Sequence, residues 1–148
     1  MVEFILDNMM RKTTSYKLVD FKILGNEQGS LIAIEGGNDI PFEIKRVYYI
    51  FDTKKGVERG FHAHISLKQI CIAIKGSCSF VLDDGEKREE IKLTNPNQGI
   101  FIEGLIWREM KDFSHDCVLL VLASEHYDEN DYIRCYNRFK EIKNKESI

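Results

Sequence analysis

His62 and His64, in the run Arg59-Gly60-Phe61-His62-Ala63-His64, are the residues of this chain best suited to move protons. Imidazole titrates closest to neutrality, so it serves as base or acid with little adjustment. Side chains two apart on a strand face the same side, about 6.6 Å apart along it, so the pair would look into one cavity. A lone histidine is more often structural. Two on one face, among small or apolar neighbours and after Arg-Gly, point to function. Arg46 and Tyr48 share a face by the same alternation; residue types alone leave open an exposed charge beside a core aromatic. His115 and His126 stand in polar loop sequence and read as solvated.

The elements that must hold these residues read as strands. Tyr16 to Leu24, Leu31 to Ile34, Ile44 to Phe51, Gly60 to Ile65, Lys68 to Ile74 and Ser77 to Leu82 are short β-type runs. Asp83-Asp84-Gly85 is a strong hairpin signal. Glu89 to Leu93, Ile100 to Ile102, Ile106 to Met110 and Cys117 to Ala123 complete the series. About ten short strands at near-regular spacing predict an all-β sandwich or barrel rather than an α/β fold. Only the tail from residue 128 to 145 reads as helical, with Tyr132, Ile133, Tyr136, Phe139 and Ile142 at helical spacing and Asp128 or Asp131 as cap. The expected organisation is a single domain over 1–148, with an N-terminal extension at 1–14 and a frayed tail at 141–148. The acidic run at 86–90 reads as a solvated strand face, and Trp107 as core.

Composition narrows the partners. At 148 residues, 43% apolar and 30% charged, the chain is long enough to bury a core without staples. A net charge of −3 argues against nucleic acid as a partner, while leaving room for one local basic pocket. The four cysteines form no CxxC pair, and Cys71, Cys78 and Cys117 lie inside apolar runs, as small hydrophobes do. That usage points to a reducing compartment. No apolar run approaches the roughly 20 residues that span a bilayer, and the start lacks a signal-peptide pattern. The expectation is a cytoplasmic protein with no membrane partner.

His62-x-His64, four residues, Gln69, six residues and Gly76 resemble the first motif of the cupin superfamily, in which two histidines and a glutamate bind a metal. Here the acid is an amide. The stretch from Glu103 to Arg108 resembles the second motif, with Arg108 where the last ligand would stand. Divalent transition metals want imidazole or anionic ligands, whereas arginine brings a fixed positive charge and no lone pair. No metal and no cofactor are therefore expected. Residues 45–51, 59–64, 76–78, 82–85, 121–124 and 127–134 further resemble, in order, the dTDP-4-keto-6-deoxyhexose 3,4-ketoisomerases, over about residues 17–140.

That resemblance implies a cupin jelly-roll β-barrel, a metal-free homodimer, and a dTDP-linked keto-sugar whose carbonyl moves from C4 to C3 for a later aminotransferase. It implies His62 as the base at C3, with His64 and Tyr48 handling protons at C4 and the oxygens. Arg46, Arg59 and Arg134 become candidates for the diphosphate, since arginine grips phosphate bidentately. Gln69 is expected to hydrogen-bond within the pocket, and Arg108 to stabilise the enediolate. Two positions depart from the family: many relatives carry histidine where Arg108 stands, and arginine before the Gly-Ser that here follows Gln28. Loss of a histidine acid at 108 favours the gluco over the galacto product. The alternatives are a sugar 3,5-epimerase, a non-catalytic sugar-binding cupin and a metal-dependent enzyme on the same scaffold.

Overall fold

The computed structural model describes residues 15–146, so the N-terminal extension at 1–14 and residues 147–148 lie outside it. Twelve strands are described: β1 (Ser15–Asp20), β2 (Leu24–Asn26), β3 (Gly29–Leu31), β4 (Arg46–Ile50), β5 (Arg59–His64), β6 (Gln69–Lys75), β7 (Cys78–Asp83), β8 (Arg88–Leu93), β9 (Gln98–Glu103), β10 (Trp107–Lys111), β11 (Val118–Ala123) and β12 (Tyr132–Ile133). They form one five-stranded sheet in the order β1-β9-β6-β11-β4, a second in the order β12-β5-β10-β7-β8, and the small β2-β3 hairpin. Every ladder is antiparallel. The result is a jelly-roll-like sandwich of the cupin type, with the fold class read from the strand rhythm.

Burial follows each strand's place in its sheet. β6 and β7, paired on both sides, are buried over most of their length. β4 and β8 lie at sheet edges and alternate between exposed and half-buried residues. Between the sheets, Cys71, Phe80, Leu82, Ile100, Ile102, Leu119 and Val121 pack into one core. Cys71, Cys78 and Cys117 are buried free thiols, and Cys135 is an exposed one. The β7–β8 hairpin turns through Gly85 at φ 98°, with the Asp84 carboxylate accepting from the Glu86 and Lys87 amides. Trp107 is core, and its indole N–H donates to Glu109.

The C-terminal segment departs from the sequence reading at both ends. Asp128 caps a single 3₁₀ turn at Glu129–Asp131, after which Tyr132 turns extended (φ −86°, ψ 139°) and pairs with His64. Tyr132 and Ile133 therefore belong to a strand, and helix α1 (Tyr136–Glu146) begins only after it. At the other end α1 runs on to Glu146, through most of the stretch expected to fray. Ile142 packs against the Trp107–Phe139 cluster, and Lys140 donates to the Gly85 carbonyl at 2.7 Å.

Candidate active site

A β-bulge aims the histidines. In the β5–β10 ladder Arg108 faces His62 and Glu109 faces Gly60, so Phe61 has no partner. Gly60 (φ 91°) and Phe61 (φ 56°) both take the left-handed region. A side chain at 60 would put its Cβ 2.9 Å from the Arg108 carbonyl, so only glycine lets the strands close here. Phe61 points outward and is exposed, while His62 and His64 turn inward.

The two imidazoles stand 4.8 Å apart between ring centres and nearly perpendicular. Tyr132 packs against both, at 5.1 Å from His62 and 4.3 Å from His64. His64 Nδ1 lies 3.0 Å from Asp131 Oδ2. Among the described residues its Nε2 is buried without a partner, as is His62 Nδ1. Burial, and after it the Arg108 guanidinium, lowers His62 to about 4. The same two causes, in the same order, push His64 well below its ordinary value. Both rings are therefore neutral at pH 7, and with Asp131 accepting from Nδ1–H the free Nε2 of His64 carries a lone pair.

Arg108 is 2% exposed, and its charge faces no carboxylate within ion-pair distance among the described residues. It donates to Gln69 Oε1 at 2.6 Å and to the Ile106 carbonyl at 2.9 Å, leaving Nε without a partner among the described residues. Arginine only donates, so Gln69 must present its carbonyl to Arg108 and its NH₂ to Tyr48, whose hydroxyl oxygen it meets at 3.0 Å. The Tyr48 oxygen is thus occupied as acceptor, and its O–H is left to donate elsewhere. Burial raises that phenol to about 12, so it stays protonated.

Two cavities open on this group. One of about 380 Å³ is lined by Arg46, Tyr48, Arg59, His62, Tyr132 and Arg134, among others. The other, about 510 Å³, includes His64, Asp131 and the loop carrying His126 and Tyr127, and shares Arg46, Tyr127 and Tyr132 with the first. Arg46, Arg59 and Arg134 thus come together around the space that His62 faces. Arg46 lies over the rings of Tyr48 and Tyr127, its Nε buried and without a partner among the described residues. Arg134 lies 4.3 Å over Tyr132 and is held by both oxygens of Glu129.

Gln69 and Arg108 line neither cavity; they sit behind the pocket and act on it through Tyr48 and through charge. His115 and His126 are exposed, although His126 borders the larger cavity. Asp131, Tyr132 and Tyr127 were not singled out from sequence. The signal that could have found them is the cluster Tyr127-Asp-Glu-Asn-Asp-Tyr132, two residues before Arg134.

The donor set does not suit a divalent transition metal. No group of three histidine, cysteine or carboxylate ligands is assembled among the described residues. Beside the histidines stand an amide and a buried cation, which repels a second cation.

The family model described as "FdtA: WxcM-like, C-terminal" matches residues 14–144. The TDP-4-oxo-6-deoxy-alpha-D-glucose-3,4-oxoisomerase of Aneurinibacillus thermoaerophilus is 53% identical over 124 residues, covering 84% of this chain and 89% of that protein. A 3,4-ketoisomerase from Thermoanaerobacterium thermosaccharolyticum, solved in complex with TDP, superposes with a TM-score of 0.87 at 45% identity, covering 90% of this chain and 97% of that one. The TDP-quinovose 3,4-ketoisomerase of Campylobacter jejuni gives a TM-score of 0.82 at 48% identity, covering 85% and 97%. With a matched family model over nearly its whole length and a 53% identical 3,4-oxoisomerase among its relatives, the chain belongs to the FdtA family of 3,4-ketoisomerases.

Proposed function

We propose that the protein converts dTDP-4-keto-6-deoxy-D-glucose to the 3-keto-6-deoxy sugar of gluco configuration. The observation that carries this reading is the pair of neutral histidines beside a buried, carboxylate-free arginine. His62 takes the proton from C3, and the electron pair moves into the C3–C4 bond to give an enediolate whose charge Arg108 stabilises. The proton on His62 passes on through His64 or Tyr48 to C4, and the same groups carry one from the C3 hydroxyl to the C4 oxygen, so each residue ends in the protonation state in which it began. The carbonyl then stands at C3, with no net gain or loss of atoms or electrons.

Arg46, Arg59 and Arg134 are assigned to the diphosphate, since three guanidinium groups border one cavity. The relatives named for TDP-linked sugars support thymidine diphosphate as the carrier. Arg108 bonds only to neutral acceptors and holds its proton, so it cannot be the acid at C4. Delivery from His64 or Tyr48 underlies the gluco assignment, and the relative named for quinovose supports it. The 3-keto product suits an aminotransferase-class enzyme, which consumes a ketone. Two copies are proposed to pair over the outer face of β4, an edge strand exposing Val47 and Tyr49, with Phe51 exposed just past its end. The unpaired cysteines suit a reducing, cytoplasmic setting.

The test is incubation with dTDP-4-keto-6-deoxyglucose in deuterated water, followed by proton NMR. Loss of the C3 proton, deuterium at C4, a ketone at C3 and gluco-type couplings at C4 are expected. Exchange at C3 and C5 with the ketone still at C4 means a 3,5-epimerase, and no exchange in folded protein means a binding module.

A further inference from the structure

We infer that Asp131 is the positioning residue of the reaction, fixing His64 in the tautomer that leaves Nε2 free to take and return protons. The inference rests on the proposed role of His64, and goes beyond it by assigning a carboxylate that neither cupin-type motif contains.

The geometry is specific. Asp131 Oδ2 lies 3.0 Å from His64 Nδ1, while Oδ1 accepts the Ser66 backbone N–H at 2.7 Å. The Asp131 main chain is tied on both sides as well: its carbonyl accepts from Ile65 N–H at 3.0 Å, and its own N–H donates to the Asp128 carbonyl at 3.1 Å. Tyr132, the next residue, pairs in register with His64. The carboxylate is therefore held on the strand it serves, and both of its oxygens face donors. A carboxylate has only acceptors, so the His64 nitrogen it meets must carry the hydrogen. Nε2, buried with no partner among the described residues, is then the basic atom. Once it gains a proton, the ring shares that charge with the carboxylate behind it, which offsets the repulsion from Arg108.

The same two bonds predict an unusual order among variants. In Asp131→Asn the side chain keeps one oxygen for two N–H donors. If that oxygen stays with Ser66, the amide NH₂ turns to His64 and donates to Nδ1, so the hydrogen moves to Nε2 and the free lone pair is lost. In Asp131→Ala nothing dictates the tautomer, and a fraction of the molecules keeps Nε2 free. Asparagine is thus the more damaging replacement, although it is the closer in shape. A merely structural role predicts the reverse, because alanine removes both hydrogen bonds.

The experiment measures kcat and KM for wild type, Asp131→Asn and Asp131→Ala, with melting temperatures, and reads the His64 tautomer in each free protein from two-bond ¹⁵N–¹H correlations. Expected are Nδ1–H in wild type, Nε2–H in Asp131→Asn, and a kcat reduced by roughly 10³-fold in Asp131→Asn and less in Asp131→Ala, with KM little changed. Wild-type His64 as the Nε2–H tautomer overturns the inference, and so does an alanine variant slower than the asparagine variant at equal folding. His64→Ala separates the two layers. Full activity in it refutes the proposed role of His64, whatever the tautomer data show; a tautomer that ignores Asp131 refutes only the positioning.

Discussion

Acid should unfold this protein through a histidine rather than through carboxylates alone, and His62 gives the cleanest measure of it. In the folded chain His62 is held at about 4, by burial first and by the Arg108 guanidinium second, with Arg134 adding in the same direction and Glu129 and the Gly60 backbone opposing. Unfolded, it returns to the ordinary histidine value near 6.5. Between those values the unfolded chain binds a proton that the folded chain refuses, so stability rises with pH. The contribution is intact above about 6.5 and is lost as pH falls toward 4. At pH 5 the loss from this one residue is about 2 kcal/mol, and it approaches about 3 kcal/mol below pH 4.

The perturbation that isolates the effect is His62→Gln. Glutamine fills similar space and does not titrate, so the carboxylates contribute nearly equally to both proteins, and His64, depressed first by burial and Arg108 and only then by His62, changes little. Urea unfolding at pH 7 and pH 5 should show the wild type losing about 2 kcal/mol more than the variant across that interval. The same depression shows in activity: kcat/KM should hold its plateau down to near pH 4–5 instead of bending at 6.5. An equal loss in wild type and His62→Gln, or an acid limb in kcat/KM between pH 6 and 7, refutes the claim that burial and Arg108 keep this ring neutral.

Two further outcomes follow from the same site and its outer face. Arg108→Met should lower kcat by about 10²–10³-fold while raising the acid limb of kcat/KM; its stability should move by less than about 2 kcal/mol, because relief of a buried charge offsets the two acceptors left unpaired at Gln69 and Ile106. Activity within fivefold of wild type would show that the cation does no work on the enediolate. Light scattering should give twice the 17.3 kDa chain mass, falling to the single mass in Tyr49→Lys, which charges the exposed β4 face; a monomeric wild type would refute the pairing.

Much of the site is legible because strands alternate. His62 with His64, and Arg46 with Tyr48, could be placed on common faces from spacing alone, and the structure sets all four at the two cavities. What alternation cannot show is a bulge. Phe61 drops out of the ladder at a positive φ, and that local irregularity sets how β5 meets Arg108. Asp131 and Tyr132 were missed for a different reason. Tyr132, Ile133, Tyr136 and Phe139 satisfy a helical period, yet the Asp128 cap closes one 3₁₀ turn and releases the chain into a two-residue strand. Periodicity over so few residues cannot compete with a tertiary edge waiting to be paired. Gln69 and Arg108 were expected at the pocket as departures from the metal motif, but residue type could not say that they stand behind the cavity.

On the proposed mechanism, that placement lets a metal-type scaffold carry acid–base chemistry. A cupin metal ion would supply positive charge among the histidines and occupy their lone pairs. Arg108 also supplies positive charge but takes no lone pair, and it is tethered to neutral acceptors so that its charge is not cancelled. In that mechanism one buried guanidinium does two things at once: it adds to burial in keeping both rings unprotonated, and it lowers the energy of an anion formed beside them. A glutamate at position 69 would undo both, by pairing with Arg108 and neutralising it. The amide found there accepts from Arg108 without cancelling its charge, and its remaining N–H group turns the Tyr48 hydroxyl outward as a donor. The departures from the metal-binding motif at 69 and 108 thus form one unit, and each residue makes chemical sense only with the other in place.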